Sequence, residues 1–235
     1  MTKGALVTRP VEDSAALADA LRERGFPPLI EPMLTIRYRD APIPQKEDHQ
    51  AILLTSANGA RALARLVSWR DLPVWAVGEA SAAEARKLGF ATVRGAGGDV
   101  ASLAALVAQQ ADPAAGPLLQ VAASRLAGDL AGALTAQGFR VDKTVLYDAE
   151  PACEFSPSLR KALAESALEA ALFFSPRTAA TFVTLAPAMA ESLRRIKALA
   201  LSPAVAEALA PLPWKHIGVA ERPEQSRLLA LLDGE

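Results

Sequence analysis

Cysteine occurs once in this 235-residue chain, at Cys153, and histidine twice, at His49 and His216. An internal disulfide is thereby excluded, and no pair of these residues has the spacing of a zinc site. Cys153 has no histidine near it in sequence and reads as a bystander thiol, since reactive thiols need a basic setting. Charge of one sign is also lacking: Lys and Arg total 25 against 26 Asp and Glu, a net charge of −1, with no long basic run. That balance argues against a nucleic acid or a membrane surface as the main partner, so any anion site must be local. No window approaches the roughly 20 apolar residues of a membrane span. The opening "MTKGALVTRPVEDS" contains no apolar stretch of signal-peptide length, and a cytosolic (cytoplasmic) protein is the expectation.

What the chain does have is apolar residues, 51% of the total, enough to bury a sizeable core. They fall in short continuous runs: "GALVT", "PPLIE", "AILLT", "PVWAV", "FATV", "PLLQV", "ALFF", "IKALAL" and "HIGV". Ala/Leu/Glu/Arg segments of helical period separate them, so the chain reads as alternating β/α. Continuous rather than alternating strands point to a parallel sheet covered by helices on both faces. Helix starts are expected at Glu12/Asp13/Ser14, Ser56/Asn58, Asp99, Ser156 and Ser175/Pro176, and helix ends at Gly25, Gly89 and Gly138.

Order within the chain repeats. "AILLTSANGARALARL", then "PVWAVGEASAAEARKLGF" and the "GGD" helix, are matched by "AALFFSPRTAATFVTL", "IKALALSPAVAEAL" and "ERPEQSRLLALL". The fold class expected is therefore α/β, with two similar domains, each a parallel sheet flanked by helices. Residues 1–36 with 150–235 form a discontinuous first domain, and residues 37–149 an inserted second one. The crossings, "MLTIRYRD" and "VDKTVLYDAEP", are β-prone and are expected to pair as a two-stranded β-ladder hinge.

In open parallel sheets, ligands collect outside the carboxyl ends of the strands, where helix starts offer unpaired N–H groups. Arg9, Ser56, Ala57, Asn58, Gly78, Ser81, Gly97, Gly98, Ser124, Arg125, Ser175, Pro176, Arg177 and Ser202 lie at such ends. Each serine or asparagine alone could be a mere helix cap, and each arginine a solvated surface group. The collection favours an extended polyanion approaching backbone N–H groups. "GAGGD" is not a dinucleotide fingerprint, because its glycines do not follow the first strand with an acidic residue some 20 positions on. A nucleotide-triphosphate loop and a G-x-S-x-G nucleophile elbow are also missing.

Taken in order, "LVTRP", "LLTSANGARAL", "AVGEASAAEARKLGF", "LLQVAASRLAGDLAGALTAQGFRVDKTVLYDAEP", "LFFSPRTAATF" and "ALSPAVAEAL" resemble the uroporphyrinogen-III synthase family. The similarity covers nearly the whole chain. It implies two α/β domains joined by a β-ladder, a cytosolic monomer, no metal or organic cofactor, and a substrate held between the domains. A transient contact with the preceding pathway enzyme fits the same picture. The implied reaction closes hydroxymethylbilane, a carboxylate-rich linear tetrapyrrole, to uroporphyrinogen III, with loss of water and inversion of the last pyrrole through a spirocyclic intermediate. Tyr147 aligns with the tyrosine thought to assist departure of the hydroxyl; as a residue of a β-prone stretch it could equally be a packing ring, and Tyr38 is its only competitor. Arg9, Arg125 and Arg177 are the candidates to pair with substrate carboxylates. The resemblance departs at Ser202, Pro203, Ala204 and Val205, where the family carries a Gly-Pro-x-Thr turn. Gly78 and Ser81 keep the expected types in the equivalent central turn. The rival reading is a non-catalytic two-domain tetrapyrrole or anion sensor of the same fold, which fold alone does not exclude.

Overall fold

The computed structural model describes residues 3–125 and 128–233. The chain begins with β1 (Gly4–Val7), α1 (Ala15–Glu23), β2 (Pro28–Ile30) and the crossing strand β3 (Leu34–Tyr38). The middle holds β4 (Ala51–Leu54), α2 (Ala57–Leu66), β5 (Val74–Ala76), α3 (Glu79–Lys87), β6 (Val93–Gly95), α4 (Val100–Gln110), β7 (Leu118–Ala123), α5 (Leu130–Thr135) and β8 (Val141–Pro151). Then come α6 (Pro157–Ala164), β9 (Leu168–Phe173), α7 (Pro176–Leu185), α8 (Ala190–Leu193), β10 (Lys197–Ala200), α9 (Pro203–Leu209), β11 (His216–Val219) and α10 (Gln225–Ala230). Two compact units result: Met1–Thr35 with Glu150–Glu235, and Ile36–Ala149.

The first unit holds a five-stranded sheet in the order β11-β10-β9-β1-β2, with every registered pair parallel. Its central strands β1, β9 and β10 are buried on both faces, while the edge strands β2 and β11 are partly exposed. Along β1, Leu6 joins a core cluster with Phe173, Phe182 and Ala198, while Ala5 and Val7 join a cluster on the other side with Leu172, Leu199 and Leu228. The second unit repeats the pattern: Ile52 and Leu54 of β4 pack with Leu63, Val74 and Val121, and Ala51 and Leu53 with Leu103, Leu118 and Leu134. This two-sided burial is why the strands read as continuous apolar runs.

The second sheet runs β3-β8-β7-β4-β5-β6. Its β4-β5-β6 run takes the spatial place that β9-β10-β11 takes in the first unit, and β7-β8 the place of β1-β2. The repeat seen in sequence is thus one sheet topology used twice, with its two chain segments in opposite order. The crossing strands β3 and β8 do pair. Arg39 N–H donates to Leu146 O at 2.8 Å and Ala152 N–H to Met33 O at 3.0 Å, so the two strands run antiparallel. Because β8 also pairs in parallel with β7, the ladder is continuous with the six-stranded sheet.

Helix starts follow side-chain chemistry. Ser56, Asp99, Ser156 and Ser175 each accept a first-turn N–H, and Asp99 forms a reciprocal capping box with Ser102. Gly25, Gly89 and Gly138, with φ of 79°, 91° and 88°, close α1, α3 and α5 in the left-handed conformation. Gly4 answers a different need: a Cβ there would lie 2.6 Å from the Pro27 carbonyl oxygen, which bonds the neighbouring Ala5 N–H. Gly4→Ala must push β1 away from that backbone. It is expected to lower stability by about 1–3 kcal/mol, as overpacking does, and an unchanged urea midpoint would refute the close approach.

Candidate functional site

In the second unit the chosen residues line the carboxyl edge of the sheet. Ser56 follows β4, Gly78 follows β5, Gly98 follows β6, Ser124 and Arg125 follow β7, and Tyr147 stands on β8. Two of them touch. The Tyr147 phenol oxygen lies 2.7 Å from Ser56 Oγ, which also accepts the Gly59 N–H at 3.2 Å. With that N–H donated to it, Ser56 Oγ can donate its own proton to the Tyr147 oxygen or accept the phenol's. Such a chain of aligned bonds polarises each member.

Tyr147 reaches Ser56 because β8 is irregular there. β7 residues Ala122 and Ala123 pair with Val145 and Tyr147, so Leu146 is the extra residue of a bulge. A bulge re-aims the side chains that follow it. Leu146 and Tyr147, although consecutive, are both buried, at 0% and 5% exposure, and both join the cluster around Leu54 and Val121. The competitor Tyr38 is engaged differently, its ring lying 4.8 Å from the Arg65 guanidinium.

Asn58 is buried, and its Oδ1 accepts from Arg61 at 2.9 Å. Arg61 also donates to Glu84 on α3 at 2.7 Å, so this arm of the loop ties α2 to α3. Ala57 is the first residue of α2, and Ser81 is buried in the first turn of α3. Gly78 and Gly98 lie back to back: a Cβ on Gly78 would meet Gly98 Cα at 3.3 Å. The Arg61 guanidinium beside Glu84 holds that carboxyl below its ordinary value. A depressed folded-state pKa contributes stability that is full above the unfolded value of about 4.3 and is lost as pH falls through the lower folded value. Glu84→Gln is therefore expected to be less stable than the parent by about 1 kcal/mol near neutrality, with the gap closing below roughly pH 4. Parallel thermal melts over pH 3–7 check it, and a gap that widens on acidification would refute the pairing.

In the first unit, Arg9 follows β1 and stacks 4.4 Å from the centre of the Phe174 ring, with a bond to Gln225 at 3.0 Å. Its guanidinium is oriented rather than loose on the surface. Thr8 beside it donates to Leu172 O at 2.6 Å, a buried bond with no sequence signal of its own. Ser175 caps α7 through Thr178 N–H at 3.1 Å and also touches the Thr178 hydroxyl at 2.7 Å; Pro176 and Arg177 open the helix. Ser202 occupies the cap position of α9 without a side-chain cap bond, and Val205 is 1% exposed in the core around Phe182. This turn therefore places the apolar Val205 side chain in the core and presents backbone N–H groups and the Ser202 hydroxyl at the helix start.

Sequence reasoning missed Arg39 and Asp148. Arg39 donates to the Asp148 carboxylate through Nε at 2.5 Å and Nη2 at 2.8 Å. The Arg39 guanidinium, and after it the nearby Ser124 hydroxyl, hold the Asp148 carboxyl below its ordinary range. The signal available was an opposite-charge pair on the two crossing strands. Arg125 is exposed beyond Ser124, and the residues after it, Leu126 and Ala127, lie outside the described ones. Cys153 is exposed. Among the described residues no three of His, Cys, Asp and Glu gather as metal ligands would, and no helix is long and apolar enough to cross a membrane.

Two solved structures share this architecture. Uroporphyrinogen-III synthetase from Helicobacter pylori is 17% identical, with 98% of each chain covered and a TM-score of 0.67. A mutant uroporphyrinogen III synthase from Thermus thermophilus is 21% identical, with 98% of each chain covered and a TM-score of 0.56. At these identities the likeness shows the fold. Among curated proteins none matches. The family comparison reaches further, because the description uroporphyrinogen-III synthase HemD fits residues 15–230, nearly the full length. The chain belongs to the uroporphyrinogen-III synthase family.

Proposed function

We propose that this chain is an active uroporphyrinogen-III synthase, a lyase that closes hydroxymethylbilane to uroporphyrinogen III with release of water. The observation that carries the reading, beyond family membership, is the Tyr147 phenol seated on Ser56 at 2.7 Å at the carboxyl edge of a parallel sheet. The substrate loses its hydroxyl readily, so strong acid catalysis is not required. Tyr147 donates a proton to the departing hydroxyl, and the proton released when the ring closes restores the phenol, leaving water as the only by-product. The larger task is holding the chain in the conformation that inverts the last ring, which is work of positioning. Backbone N–H groups at the starts of α2, α3, α4, α7 and α9, together with Arg9, Arg125 and Arg177, are the donors proposed for the substrate carboxylates. At α9 the reading relies on backbone, since Val205 has no hydroxyl to offer. The proposal extends to a cytoplasmic monomer that receives its unstable substrate in a transient contact with the enzyme before it; sedimentation alone and with that enzyme checks both parts.

Freshly prepared hydroxymethylbilane, mixed with the protein and resolved into type I and type III isomers, tests the activity. The type III product is expected to dominate and to scale with protein concentration. Type I product at the uncatalysed rate would overturn the reading in favour of a binding protein, which no observation here favours.

A further inference from the structure

We infer that the amino edge of the first unit's sheet carries a second ligand site, a cationic cavity that takes a small anion bearing several phosphate groups. This site lies outside the activity proposed above and does not depend on it.

A cavity of about 560 Å³ opens at that edge, within the size range of small-molecule sites. All five strands of the sheet meet it with residues at or just before their amino ends. Lys215 directly precedes β11, Arg195 comes shortly before β10, Glu169 stands near the start of β9, Lys3 directly precedes β1, and Arg24 and Phe26 belong to the turn before β2. Taken in the order of the sheet, the charges across this edge are Lys215, Arg195, Glu169, Lys3 and Arg24. Four cations thus stand against one carboxylate, in a chain whose basic and acidic residues number 25 and 26. In so balanced a chain, a local excess of this size is a property of the place and not of the whole surface. Neighbouring strands lie about 4.8 Å apart, so the cations are strung along an extended anion rather than gathered on one phosphate.

Two of the cations are oriented. Arg24 Nη1 donates to Ala20 O at 3.0 Å, and Arg195 Nη1 to Ser166 Oγ at 3.1 Å. These bonds leave other N–H groups of each guanidinium for a ligand, and such planar forks match phosphate oxygens. Arg24 Nε also lies 3.9 Å from the Asp233 carboxylate, a loose pair that a phosphate can replace. Ser166 adds an independent observation. It follows the end of α6 with φ of 53°, the one left-handed residue other than glycine among those described, whereas α1, α3 and α5 close on glycine. A serine carries backbone strain there that a glycine would not. What the serine adds is the hydroxyl that holds Arg195.

The occupant is a small molecule rather than a macromolecule. Among the described residues the exposed large apolar side chains, Val11, Ile30 and Val219, all lie at the carboxyl edge of this sheet, so the amino edge lacks the apolar anchors on which protein interfaces are built. A net charge of −1 without a long basic run gives a nucleic acid little to hold.

Isothermal titration of the full chain with inorganic tripolyphosphate, at roughly 0.15 M salt, tests the site. One saturable site is expected, binding tripolyphosphate at least about tenfold more tightly than inorganic phosphate, since further charge-assisted bonds form. Arg195→Gln and Lys215→Gln are each expected to weaken binding roughly tenfold. Glu169→Gln removes a like charge and is expected to tighten it by about threefold. Ser166→Gly frees Arg195 and is expected to weaken binding by about threefold, the equivalent of one neutral hydrogen bond, while the fold survives because glycine suits this turn. Arg9→Gln, at the opposite edge, is expected to leave the affinity unchanged. Absence of saturable binding, citrate binding as tightly as tripolyphosphate, or parent affinity in both Arg195→Gln and Lys215→Gln overturns the inference. So does weaker binding in Glu169→Gln, or a loss in Arg9→Gln equal to those in the cavity, which would place the anion at the carboxyl edge. Circular dichroism matching the parent separates lost binding from lost fold in each variant. None of these readouts uses turnover, so the result is independent of the isomer assay.

Discussion

Phe182→Ala is expected to lower stability by about 3–5 kcal/mol, a large part of the 5–15 kcal/mol typical of folded proteins. Phe182 sits on α7 with no exposed surface. Its ring centre lies 4.9 Å from Phe155, 5.3 Å edge-on from Phe173 and 5.5 Å from Trp214, so these four rings join the start of α6, β9, α7 and the segment before β11. Truncation removes the hub of these contacts and leaves a cavity whose walls are anchored on a sheet and cannot collapse into it. Phe182→Leu keeps most of the apolar volume and is expected to cost well under half as much. Urea unfolding followed by tryptophan fluorescence measures both, with Trp214 as a reporter beside the site. A loss below about 1 kcal/mol for Phe182→Ala would mean that the cluster closes up freely, contrary to the packing described.

That cluster was only partly legible in sequence. "ALFF" reads as a strand because its residues are apolar on both sides, and the strand is buried on both faces; which residues of α6 and α7 meet it depends on helix packing that periodicity does not fix. The helix caps at Ser56, Asp99, Ser156 and Ser175 were readable, because capping is decided within a few residues of chain. Ser202 shows the limit of that logic: it holds the cap position by backbone, yet its hydroxyl makes no cap bond. Local type gives the place of a side chain but not its partner.

The carboxyl-edge location of the candidate residues was readable for a topological reason, since parallel strands put every βα turn at the same edge. Their division of labour was not. Asn58 reads as a strand-end residue or helix cap, and what its carbonyl oxygen does is accept from Arg61, which also serves Glu84 on the next helix. Arg39 and Asp148 stand 109 positions apart, and their pairing depends on the antiparallel register of two strands that only the folded chain brings together. Gln120 marks the converse case. In "PLLQV" it reads as the polar residue of a buried strand, and the amide is indeed fully buried, with neither of its side-chain atoms partnered among the described residues. No physical account of its presence follows from the packing.

Tyr147→Phe is the substitution in which chemistry and packing part most clearly. The phenylalanine keeps the ring that packs beside Leu54 and Val121, and removes only the hydroxyl that meets Ser56. If that hydroxyl delivers the proton to the departing group, turnover to the type III isomer should fall on the order of 100-fold. Because the substrate also loses water unaided, the remaining rate should stay measurable, and what forms on the enzyme should still be inverted, since inversion depends on how the chain is held. Stability should move little: Ser56 keeps its bond from Gly59 N–H, so the helix cap survives. Tyr147→Ala adds a different injury, the loss of a buried ring, and should lower the melting temperature as well as the rate. A packing tyrosine predicts the reverse ranking, with Phe nearly silent in both assays and Ala damaging mainly through stability. Full type III turnover in Tyr147→Phe would therefore remove the proton donor from the mechanism and leave the orienting donors at the strand ends as the whole source of the rate.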